Sequence, residues 1–188
     1  MVSGCLQRIG RLMRQTSGFG PDVRGVSALE FAMIMPIMLA LFFGGIELGD
    51  AFAIKRKVTR ATSALSDLVT QARTISDKDM TNILDASQAI VAPYALAALH
   101  IKITGVEIDK KGVARASWSD ARNDKPHQVG AKVVVPPGLQ LKDSFLVMAE
   151  LTYKYKPRIG YLLTGTFDLA DQFYLRPRKS SEIKRVVR

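Results

Sequence analysis

Glu30 sits where a carboxylate is expensive. It lies five residues after Gly25, and the 16 residues that follow it, from Phe31 to Ile46, carry no charge. An ionised carboxylate in an apolar medium costs several kcal/mol unless it is paired. If the peptide bond after Gly25 is cut, Val26 gains a free ammonium group one helical turn from Glu30. That amine supplies the pair, on the same chain or on a neighbouring one. The chemistry implied is cleavage of this chain by another enzyme, followed by an ion pair.

Chemistry performed by the chain itself is harder to find. His100 and His127 have no metal-ligand spacing to each other or to a cysteine, so no metal and no cofactor is expected. His100 reads as lying beside a strand and His127 as lying in a polar loop. Asp77 with Asp79, and Asp120 with Asp124, are explained by helix capping and loop solvation. Neither a G-x-x-x-x-G-K-[ST] phosphate loop nor a G-x-S-x-G elbow occurs. The expectation is a protein that is not an enzyme. The single cysteine, Cys5, can form no intramolecular disulfide and reads as an inert thiol.

The elements that must position Glu30 follow from composition. Val26 to Ile46 is 21 residues with Glu30 as its one charge. At ~1.5 Å per residue a helix of that length covers roughly 31 Å, about the thickness of bilayer hydrocarbon. A membrane-spanning helix is expected, in preference to a buried core helix. A secretory signal peptide fits less well, because the run starts late and "GGIELGDAF" lacks a small-x-small cleavage site. Pro36 removes one backbone hydrogen bond and predicts a local kink. Gly45 and Gly49 form a G-x-x-x-G pair that would let another helix approach, or else a flexible exit from the membrane. Arg8, Arg11, Arg14 and Arg24 against Asp22 make the head basic, which places it in the cytoplasm. Lys55, Arg56, Lys57 and Arg60 follow the run closely and weaken that assignment.

These residues together resemble the processing site of type IV pilins and pseudopilins. "GVSALEFAMIMPIMLALFFGGIELG" is similar in particular to the TadE-type segment of tight-adherence (Tad, Flp) pilus proteins. The matching positions are Gly25, Ser27–Ala28, Glu30–Phe31, Pro36 and Glu47-Leu48-Gly49. The resemblance implies a prepilin peptidase that cuts between Gly25 and Val26 on the cytoplasmic side. It implies Glu30, with Phe31 beside it, as the residue that sets subunit register. It also implies other Tad pilus subunits and inner-membrane assembly proteins as partners, alongside the lipid bilayer. The body is far larger than the short Flp pilin, so a minor pilin or pseudopilin is implied over the main subunit. The D-x-S-x-S motif of TadG proteins is absent, so TadE-like or TadF-like fits better. An unprocessed single-pass anchor of another envelope assembly stays open.

Beyond the run, Ile54, Val58, Ala61, Leu65, Leu68 and Ala72 recur at helical spacing, predicting an amphipathic helix to about Thr74. Ser76-Asp77-Lys78-Asp79 caps a second helix with Met80, Ile83, Leu84, Ile90 and Val91, ending near Pro93. "LHIKITGVEID", "VARASWS", "FLVMAELTYKYKP" and "FDLADQFYLRPR" read as strands, with a turn at "KKG" and a loop at "KVVVPPGL". In the third of these, Phe145, Val147, Ala149, Leu151, Tyr153 and Tyr155 share one face. The tail "RPRKSSEIKRVVR" carries +5 and reads as solvated charge; nucleic acid is not an expected partner. The expected fold is α+β and pilin-like: a transmembrane helix continuing into an amphipathic helix, a second helix, then a small antiparallel sheet. The expected layout is a basic cytoplasmic leader at 1–25, a transmembrane segment at 26–50 and an extracytoplasmic domain at 51–188. That places the chain in the bacterial inner membrane with its C-terminal domain periplasmic. Whether it enters the pilus or only primes assembly is left open.

Overall fold

A computed structural model describes residues 23–157 and 165–186. Cys5 and most of the expected leader lie outside the described residues. The chain divides into two compact units on either side of the Gly44–Gly45 peptide, within the first helix.

Helix α1 runs Val23–Thr70 and is α-helical without interruption through Pro36. In the second unit its buried stripe is Ile54, Val58, Ala61, Leu65 and Val69, with Thr62, Ser66 and Thr70 alongside. The hydroxyls of Thr62 and Ser66 donate to the carbonyls of Val58 and Thr62, so they enter the core satisfied. Two details correct the sequence expectation. The stripe passes through Val69, and Leu68 stays 40% exposed. The helix also ends at Thr70 and not Thr74, because Thr74–Ser76 turns into a short strand, β1.

Helix α2, Asp77–Val91, starts as expected: the Ser76 hydroxyl accepts from the Asp79 amide at 3.2 Å, and the Asp79 carboxylate accepts from the Ser76 amide at 3.0 Å. Four strands then form an antiparallel sheet in the order β3-β2-β4-β5: β2 Leu99–Ile108, β3 Ala114–Arg122, β4 Ser144–Tyr155 and β5 Phe167–Leu175. The fold is α+β.

The two faces of the sheet bury different cores. One, with Leu99, Ile101 and Ile103 of β2 and Val147, Ala149, Leu151, Tyr153 and Tyr155 of β4, packs with the stripe of α1 and with Met80, Leu84 and Val91 of α2. The other, with Val106, Ile108, Ala114, Leu146 and Met148, is covered by Val135 and neighbours from the 131–139 loop. Leu146 and Met148 are therefore as buried as the alternate residues the sequence pattern singled out.

Strand β3 serves both faces by a bulge. Val106 pairs with Ala116 but Gly105 pairs with Trp118, so Ser117 is an extra residue. The extra residue transfers β3 from one face to the other while burial still alternates along the chain. Trp118 thereby lands on Gly105, where a Cβ would lie 2.4 Å from its ring.

The basic tail is a structural element, which corrects its reading as solvated charge. Lys184–Val186 forms β6, paired parallel with β1. Ile183 is fully buried, and its carbonyl accepts from the Trp118 indole at 2.8 Å. Arg185 donates to Asp120 at 2.9 Å and Asp77 at 2.6 Å. The amide of Arg178 donates to the carbonyl of Thr70, satisfying an acceptor that the end of α1 leaves open.

Candidate functional site

From Phe31 to Gly44 the first unit carries no charged side chain. Val26, Leu29, Phe31, Met33, Ile34, Ile37, Met38, Leu41 and Phe42 are each more than half exposed. Its most apolar 18-residue window has a mean hydropathy of 2.1 and none of it is buried. A helix apolar on every face and buried nowhere fits a bilayer and not a soluble core. It is the one helix among the described residues long and apolar enough to cross a membrane, and it fits a single-pass membrane protein.

Glu30 is exposed within this stretch. On a helix, Val26 is its neighbour one turn earlier, and Ile34, Ile37 and Leu41 continue the same face. Residues four apart on a helix have Cβ atoms roughly 5–6 Å apart, which is the separation expected of Val26 and Glu30. Gly25 and Val26 themselves lie in the first turn of α1, where amides have no intrahelical acceptor and unwinding costs little. Phe31, at the next position, is 61% exposed. At Gly45 and Gly49 an added Cβ meets nothing within 4 Å. Neither glycine is required by packing within the chain.

Glu47, one of the positions that carried the sequence resemblance, is buried in the second unit, which its sequence neighbourhood did not predict. It is 2% exposed, and its backbone carbonyl accepts from the Tyr155 hydroxyl at 3.2 Å. It marks the start of the face that α1 buries in the second unit. Further along, Lys55 pairs with Asp171 of β5 at 3.4 Å, and Thr59 donates to the same carboxylate. Burial pushes the Asp171 carboxyl up, but the bonds from Thr59, the Gln172 amide and Lys55 outweigh it and hold it below its ordinary value. Lys57 reaches the carbonyl of Ala92 and lies 5.4 Å from the centre of the Tyr94 ring. These contacts fix how the amphipathic half of α1 is held in the second unit.

Among the described residues no cluster of three or more His, Cys, Asp or Glu is placed to hold a metal. The His127 ring lies 3.1 Å from Glu150, a contact between neighbouring strands and loop that the polar-loop reading did not include.

Comparison with known protein families gives one result. Residues 25–65 match the family model described as TadE-like protein. The match covers the apolar run and most of the amphipathic stretch that follows it in α1. No curated protein and no solved structure matches the chain.

Proposed function

We propose, starting from this TadE-like segment, that the chain is a minor pilin or pseudopilin that assists assembly of a Tad pilus. A prepilin peptidase cuts between Gly25 and Val26 and removes the basic leader. Residues 26–50 form the segment that spans the inner membrane, with residues 51–188 on the periplasmic side. The Val26 amine then pairs with a Glu30 carboxylate, its own or a neighbour's, and the pairing sets the stagger between subunits. The role is non-catalytic. Gly45 and Gly49 give neighbouring helices a place to approach closely.

The observation that carries the reading is the TadE-like match beginning at residue 25, over the run Val26–Ile46, whose large apolar side chains are mostly exposed and whose one charge is Glu30. A second reading, an anchor that is never cut, draws on the start of α1 at Val23, which places the scissile bond inside a helix.

The test is assembly in cells that make the remaining Tad components. Glu30→Gln keeps size and hydrogen bonding but removes the charge. It is expected to leave membrane insertion and leader removal intact while lowering pilus yield at least about tenfold, the effect of one lost charge-assisted pair. Wild-type piliation by Glu30→Gln contradicts the registry role.

A further inference from the structure

The two edges of the four-stranded sheet are finished differently. Along β3 the 130–133 segment takes up outer backbone groups: the Ala116 amide donates to the Ala131 carbonyl at 2.9 Å, and the Val133 amide to the Ala114 carbonyl at 3.1 Å. The bulge at Ser117 and the cations Arg115 and Arg122 further obstruct pairing along that edge. Strand β5 is the other edge. Its register with β4 is unbroken, and it contains no proline, lysine or arginine. It thus lacks the devices by which edge strands commonly refuse a neighbour.

Two contacts show which way the backbone of β5 faces. The Ala170 carbonyl accepts from the Lys55 ammonium, and the Gln172 amide donates to the Asp171 carboxylate at 3.0 Å. Both groups are turned away from β4. Residues of an antiparallel strand alternate in this respect, so Asp168, Ala170, Gln172 and Tyr174 all direct their amides and carbonyls outward. Among the described residues no backbone group of another element bonds them. Asp168, Ala170 and Gln172 are exposed, which leaves the edge open to solvent.

The side chains beside this edge differ between the two faces. Leu169 packs into the core under α1, which puts Phe167 and Phe173 on the same face, with Phe167 39% exposed. Asp168 lies on the opposite face with Tyr174. In a chain of net charge +10, β5 carries two carboxylates and no cation. Asp171 is engaged by Thr59 and Lys55, whereas Asp168 holds no ion pair among the described residues.

We propose that the β5 edge binds an extended segment of a partner protein as a further strand, one in which apolar residues alternate with lysine or arginine. Its backbone bonds the outward groups from Asp168 to Tyr174. Its cations lie on the Asp168 face, and its apolar side chains lie beside Phe167 and Phe173. The β5 strand of a second copy offers carboxylates and no cation, so it lacks this complement.

The test is hydrogen–deuterium exchange, read residue by residue by NMR on the full chain in detergent micelles. The probe is a synthetic octapeptide of alternating lysine and valine. At saturating peptide the amides of Ala170, Gln172 and Tyr174 are expected to slow at least about tenfold, while those of Leu169, Asp171 and Phe173 are slow already through β4. A peptide of alternating glutamate and valine is expected to leave them unchanged. Asp168→Lys is expected to reverse the preference between the two peptides while melting like wild type. Ala170→Pro is expected to remove the response, since it deletes an amide that β4 does not use. No slowing with either peptide, slowing confined to Leu169, Asp171 and Phe173, or equal slowing by both peptides overturns the proposal. Slow exchange at the outward amides without peptide, lost on dilution, assigns the edge to a second copy and overturns it as well.

Discussion

Gly105 lacks a side chain because the Trp118 ring occupies the space, 2.4 Å from where a Cβ would be. Both sit in the middle of paired strands, where neither backbone can shift without breaking the ladder. Gly105→Ala is expected to destabilise the protein by about 1–3 kcal/mol, the usual cost of overpacking a filled core. Thermal melts and near-ultraviolet dichroism of Trp118 in the full chain read this out; an unchanged melt contradicts the packing described. Glu30 is the opposite kind of residue, exposed in the structure and, in the proposed function, acting only through a partner. Its spacing from Gly25 was readable in the sequence because both lie within one short segment. The burial of Glu47 was not readable, since it depends on Tyr155, 108 positions later.

At the scale of elements, local rules worked and distant ones did not. Helix α2 was readable because its cap, Ser76 with Asp79, lies within four residues of its first turn. Ser76→Ala is expected to cost about 1 kcal/mol in the same melts, through the loss of that cap. The tail was misread because its partners are far away in sequence: β6 pairs with β1, and Arg185 bonds Asp77 across 108 positions. Charge alone suggested solvent, whereas the Arg185 side chain is only 13% exposed and spans two carboxylates. Arg185→Ala is expected to destabilise by about 2 kcal/mol, since it leaves Asp77 and Asp120 without that cation. Amide exchange at Ile75 and Ser76 should quicken in the same variant; slow exchange there would mean that β1 and β6 hold together without it. The face change in β3 escaped the pattern for another reason: one extra residue, Ser117, preserves alternation while reversing its meaning.

For the whole molecule, the acid side of the stability profile follows from carboxylates held below their ordinary range. Hydrogen bonds from Ser76 lower Asp79, and at Asp171 the bonds to Thr59, Gln172 and Lys55 outweigh the opposing effect of burial. A carboxyl whose pKa is lower folded than unfolded adds stability above the unfolded value, and loses it as pH falls through the folded one. Stability should therefore hold steady from pH 7 to about pH 5 and decline as pH drops below the ordinary aspartate value of 3.8. Asp171→Asn should flatten part of that decline; an identical acid profile would remove Asp171 from the account.

The central claim is that the exposed apolar helix begins its working life at Val26. The most direct measurement is the N-terminal sequence of the membrane-extracted protein, from cells carrying a prepilin peptidase, beside a Gly25→Leu variant. The account predicts a wild-type chain beginning at Val26 and a variant that keeps its leader. A wild-type chain still carrying residues 1–25 would contradict it, leaving an uncut anchor in which Glu30 has no new amine to meet.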